Sequence, residues 1–143
     1  MKYEVIDNFL SEEEHLKIKY MMLDDYRNFP WFYTPNVADE NDNNIYFVHT
    51  FQEKEFNLES PYLHKLHPIL EKMNIDDLWR VKGNLFPNQN KFIEHNTHID
   101  YDEPHQAAIY YINTNNGYTK LEDGTKVMSV ANRMLFFDGS KNH

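Results

Sequence analysis

From Leu78 to Phe137 the chain consists almost entirely of short stretches suited to β-strands, and this run limits its possible folds more than any other feature. Residues 78–86 form one such stretch, stopped by Pro87-Asn88-Gln89-Asn90, and residues 91–98 form the next. Residues 106–113 (Gln-Ala-Ala-Ile-Tyr-Tyr-Ile-Asn) are nearly all apolar, as in a strand covered on both faces. Residues 118–122 and 125–130 flank Asp123-Gly124, a two-residue hairpin signal, and residues 134–137 make a last short strand. Many short strands of this kind close into a sandwich or a barrel.

The N-terminal half supplies the helices. Residues 3–6 alternate like a strand, and Ser11 with Glu14 forms a capping box behind Leu10, predicting a helix to about Leu23. His15 on that helix reads as a solvated surface residue. Residues 39–44 are acidic and amide-rich but lack the glycine and terminal glutamate of a calcium loop, so they read as a solvated loop. Residues 45–51 form a β stretch, and Ser60-Pro61 opens a second helix through about Met73. His64 and His67 on it read as a solvated or packed pair. The expectation is a single α+β domain over residues 1–143, mainly β, of jelly-roll type with two helices packed outside.

Charge and composition narrow the function. A formal charge of −9 disfavours a nucleic-acid partner, since nonspecific affinity for phosphates comes from lysine and arginine. There is no cysteine, so a metal here takes nitrogen and oxygen ligands. The N-terminus lacks the apolar run of a signal peptide and no stretch reaches the roughly 20 apolar residues of a membrane span, so a soluble, cytoplasmic protein is expected.

Within residues 91–100 the pattern His98-Ile99-Asp100 stands out. On an extended chain, residues two apart share a face, so an imidazole and a carboxylate point at one place. One further histidine completes a 2-His-1-carboxylate triad that leaves open positions on Fe(II), and His143 is the candidate. The bland alternative is that all three are ordinary polar residues.

The combination of His98-x-Asp100, Ala107-Ala108-Ile109-Tyr110-Tyr111-Ile112-Asn113, the hairpin around Glu122-Asp123-Gly124-Thr125, and Arg133-Met134-Leu135-Phe136-Phe137-Asp138-Gly139 before a histidine resembles the iron(II)- and 2-oxoglutarate-dependent oxygenases. The likeness is nearest to their prolyl-hydroxylase-like branch, including small phage and bacterial members, which would place a phage-encoded chain in the host cytoplasm. The resemblance implies a double-stranded β-helix with His98, Asp100 and His143 as metal ligands. It implies 2-oxoglutarate binding by Tyr111 and by Asn84, the latter from an Asn-x-Tyr pattern that here reads Asn84-Leu85-Phe86. It also implies hydroxylation of an unidentified substrate, a peptidyl proline or another protein side chain, with O2 consumed and succinate and CO2 released.

One departure from the family concerns the far carboxylate of 2-oxoglutarate. Its usual arginine sits on a strand after the distal histidine, and the sequence stops at His143, so the last strand is expected to be missing. Lys82, Arg133 and Lys141 are the candidate substitutes. Two rival readings keep the fold, a non-catalytic jelly-roll binding or structural module and a cupin-like metal protein.

Overall fold

The β-rich second half folds as expected in class, though not in every pairing. A computed structural model describes residues 2–143 and is mainly β, with 29% strand against 17% helix. In chain order the elements are β1 (Tyr3–Ile6), α1 (Glu12–Lys19), β2 (Phe32–Thr34), β3 (Tyr46–Glu53), β4 (Leu58–Glu59), α2 (His67–Met73), β5 (Arg80–Leu85), β6 (Gln106–Tyr111), β7 (Tyr118–Lys120), β8 (Lys126–Met128) and β9 (Arg133–Asp138). They fall into two compact units: residues up to Tyr20 with Thr97–His143, and Met21–Asn96.

In the first unit β9 is the middle strand of an antiparallel sheet ordered β1-β9-β6. Its sequence Met-Leu-Phe-Phe is apolar at consecutive positions because both of its faces are covered. Leu135 and Phe137 join Tyr111, Leu121 and Val127 in a buried cluster, with Ala107 and Ile109 packed against it. Leu121 and Val127 come from the β7–β8 hairpin, which therefore forms a second layer over this face. On the opposite face Phe9 meets the rings of Tyr110 and Phe136, each at 6.3 Å. Leu135 is fully buried, and excluding a side chain of that size from water stabilises by about 2–3 kcal/mol.

Helix α1 starts where the capping box places it. Ser11 Oγ accepts the Glu14 amide at 3.2 Å, while the Glu14 carboxylate accepts the Ser11 amide at 3.4 Å. The helix ends in a wider π-type turn over Tyr20–Asp24. His15 does not lie on the solvated side. It is buried, and its Nδ1–H donates to the Tyr110 hydroxyl, which donates onward to Asn132 Oδ1 at 2.9 Å. Asn132, at φ +64, also binds both the amide and the carbonyl of Leu10, so this chain of bonds ties the start of α1 to β6 and to the turn before β9. Burial lowers the pKa of His15, with Lys19 adding to the effect.

In the second unit β3 is central, pairing with β2, β4 and β5, with a register shift around Phe51. Gly83 of β5 is closely packed: a Cβ there would approach Met22 Cε to 2.9 Å and the rings of Phe51 and Trp31 to 3.3 Å, so the methionine tip would have to shift. The acidic loop is organised by Asp42, whose carboxylate accepts backbone amides from Val37, Ala38, Asp39 and Asn44. Desolvation pushes that carboxyl up, and the amide bonds outweigh it and hold it at about 2.

Four expectations are corrected. Residues 91–98 belong to none of the strands. The Asp123-Gly124 hairpin has a longer loop than two residues, because Leu121 and Thr125 close it and Gly124 takes φ +87 as the left-handed residue of a bulged turn. Strand β6 lies at the sheet edge, and most of it is only half-buried. The second helix opens with a 3₁₀ turn over Leu63–Leu66 before α2 proper. No helix among the described residues is long and apolar enough to cross a membrane.

Candidate metal centre

The site lies within the first unit, where the end of β9 turns back. The Asp138 carboxylate accepts the amide and hydroxyl of Ser140 at 3.0 and 2.6 Å, and the Lys141 amide returns to the Asp138 carbonyl at 3.2 Å. These bonds fold residues 138–141 into a tight turn. Gly139 donates its amide to the His105 carbonyl at 3.0 Å, and a Cβ at this position would collide with the His105 ring and with Ala107. Only glycine lets the turn sit this close to β6.

The turn delivers His143 to His98. Their backbones exchange two hydrogen bonds, each 3.0 Å, the arrangement of a hydrogen-bonded antiparallel pair. Side chains of such a pair project to the same face, which brings the two rings to 4.9 Å between centroids. Asp100, two residues after His98 and in a bend, brings its carboxylate beside both rings. Its Oδ1 lies 3.7 Å from His98 Nε2 and its Oδ2 lies 3.9 Å from His143 Nε2.

The protonation of His143 follows from its other nitrogen. Nδ1 faces the Lys141 carbonyl at 3.0 Å, and a carbonyl only accepts, so Nδ1 is the donor, and in the neutral ring Nε2 is the nitrogen with the lone pair. The ring is held edge-on to Phe137 at 4.8 Å, and its side chain is 9% exposed against 38% for His98. The site thus has one wall closed by the core and one open side.

The donors fit a divalent cation. One ligand atom from each of His98, Asp100 and His143 lies within 4.8 Å of the other two. Bonds of about 2.1 Å place neighbouring donors about 3 Å apart, so modest side-chain rotation closes the set. The set of two imidazoles and a carboxylate suits iron, zinc and related ions over calcium or magnesium.

The remaining sequence candidates lie elsewhere. Tyr111 is buried in the core of the first unit, its hydroxyl donating to Thr119 Oγ1 at 2.7 Å. Asn84 is exposed on β5 of the second unit, and Lys82 on the same strand has its Nζ 3.5 Å from the Tyr46 hydroxyl. Arg133 is committed to Asp7 by bonds of 2.6 and 3.0 Å and to the Met128 carbonyl at 3.0 Å. The Asp7 partner raises the arginine's pKa and lowers its own. Lys141 is exposed and contributes its carbonyl. His67 lies 3.4 Å from Glu71 on α2, and His95 packs at a tilt against Phe86, 5.3 Å between centroids, in the second unit. The sequence pattern includes Gly139 only as part of the motif before His143 and assigns no positioning role to it, to the Lys141 carbonyl or to His105.

Among known proteins, no family model matches the chain and no curated protein matches it.

Proposed function

We propose that the chain is an Fe(II)- and 2-oxoglutarate-dependent oxygenase of double-stranded β-helix type. The convergence of His98, Asp100 and His143 carries this reading. It is supported by the two layers of the first unit, the β1-β9-β6 sheet and the β7–β8 hairpin, packed over one apolar core.

Iron(II) with 2-oxoglutarate and O2 supplies hydroxylation of a C–H bond coupled to oxidative decarboxylation to succinate and CO2. The chain's own residues hold and orient. His98 and His143 each offer Nε2, and Asp100 offers the one negative charge. The Lys141 carbonyl keeps His143 in the ligating tautomer, and Phe137 keeps water from that side. The substrate is a peptidyl proline or another protein side chain.

The test is binding. The metal-free protein should take up one Fe(II) and bind 2-oxoglutarate only with the metal present, and His98→Ala and Asp100→Ala should lose both. Metal binding that survives both substitutions would overturn the assignment.

A second reading, a cupin-like metal protein with no 2-oxoglutarate, is favoured by one observation. Arg133, the arginine among the three candidate cations for the far carboxylate, is already paired with Asp7. Metal binding unaffected by 2-oxoglutarate would select it.

A further inference from the structure

The second unit contains a histidine and a serine arranged as a base and a nucleophile. His49 on β3 is 4% exposed, and Ser60, just after β4, is 9% exposed. His49 Nε2 lies 2.7 Å from Ser60 Oγ, and Nδ1 lies 2.9 Å from the Pro30 carbonyl. The carbonyl only accepts, so Nδ1 is protonated and Nε2 is the acceptor for the serine hydroxyl. A nucleophile, a base and a group that orients the base are the three parts of an activated serine.

Both residues line a cavity of about 420 Å³. Its other walls include Phe32, Val48, Leu58 and Tyr62, and it contains no charged side chain. Such a space takes a small, uncharged, largely apolar molecule. The aromatic rings of Phe29 and Phe51, 4.5 and 4.6 Å from the imidazole, hold His49 in place and keep it from water.

We propose that Ser60 is a reactive serine that accepts acyl or phosphonyl groups from small apolar activated esters, with His49 as its base. In acylation the Oγ attacks the carbonyl carbon while its proton moves to His49 Nε2. The bond to the leaving alcohol or phenol then breaks, and that oxygen takes the proton from Nε2, leaving a Ser60 ester. The backbone also sets the rate. Ser60 N–H is bound to the Phe51 carbonyl at 2.8 Å, Pro61 has no N–H, and Tyr62 N–H is bound to Ser60 Oγ itself at 3.1 Å. With these neighbouring amides committed, the oxyanion gains little local stabilisation, so forming the Ser60 ester and hydrolysing it are both slow, and the reaction is a slow stoichiometric capture at Ser60.

The test is intact-mass analysis of the full chain after incubation with an alkyl fluorophosphonate, followed by peptide mapping. The expected result is one adduct, on Ser60, absent from Ser60→Ala and formed at least 100-fold more slowly in His49→Gln. As a check that needs no variant, the wild-type labelling rate should rise with pH along a single ionisation and level off. No adduct, an adduct on another residue, or a wild-type rate without that pH dependence would overturn the proposal. The site shares no residue with the metal centre, so either can fail alone.

Discussion

At the scale of the residue, the geometry of the His98, Asp100 and His143 cluster depends on groups outside it. The Lys141 carbonyl sets the proton on His143, and Gly139 lets the turn lie against His105 and Ala107. Adding a methyl group at Gly139 forces the turn outward and displaces His143 from His98. Gly139→Ala should therefore weaken metal binding about 10–100-fold, as loss of supporting contacts does elsewhere. Competition titration against a chelator measures this, and an unchanged affinity would show that the turn is not what positions the ligand. His15 gives a prediction in pH. Burial lowers its pKa in the fold, so the unfolded chain binds more protons. Stability from this residue is present above the unfolded value of about 6.5 and falls as pH drops below it. Urea midpoints should decline between pH 7.5 and 5, with a shallower decline in His15→Gln; equal slopes would contradict the assignment. Asp42 titrates lower. Its carboxyl is held at about 2 in the fold, so its contribution is present above the unfolded carboxylate range and is lost as pH falls toward 2.

At the scale of the element, β9 is the member on which the first unit depends, since both of its faces are buried and both of its edges are paired. Leu135→Ala should cost about 2–5 kcal/mol by chemical denaturation, through lost burial and an unfilled cavity. Met128→Ala on exposed β8 should cost less than about 1 kcal/mol. Comparable losses at both positions would contradict this account of the core. The elements also show which features were legible in the sequence. The α1 cap, β1, β3, β5, β6 and β9 follow from patterns within a few residues. What escaped was non-local. The burial of His15 depends on Tyr110, and the occupation of Arg133 depends on Asp7 at the far end of the chain. Residues 91–98 have strand composition yet belong to none of the strands, and composition alone does not decide pairing. The two-residue β4 and three-residue β2 are too short to show any periodicity.

At the scale of the whole molecule, the chain forms two compact units, one carrying the His98, Asp100 and His143 cluster and the other the His49 and Ser60 pair. A ligand that binds only the folded state stabilises it by mass action. Saturating Fe(II) should therefore raise the unfolding temperature of the wild type, and a chelator should reverse the rise. The proposed oxygenase function makes a stricter demand, that metal and 2-oxoglutarate bind as one chelate. Anaerobic titration of the metal-free protein with both, followed by visible absorption, tests this directly. A metal-to-ligand charge-transfer band that requires both components and vanishes in His98→Ala is the expected result. Metal binding that produces no such band at any 2-oxoglutarate concentration would contradict the oxygenase assignment.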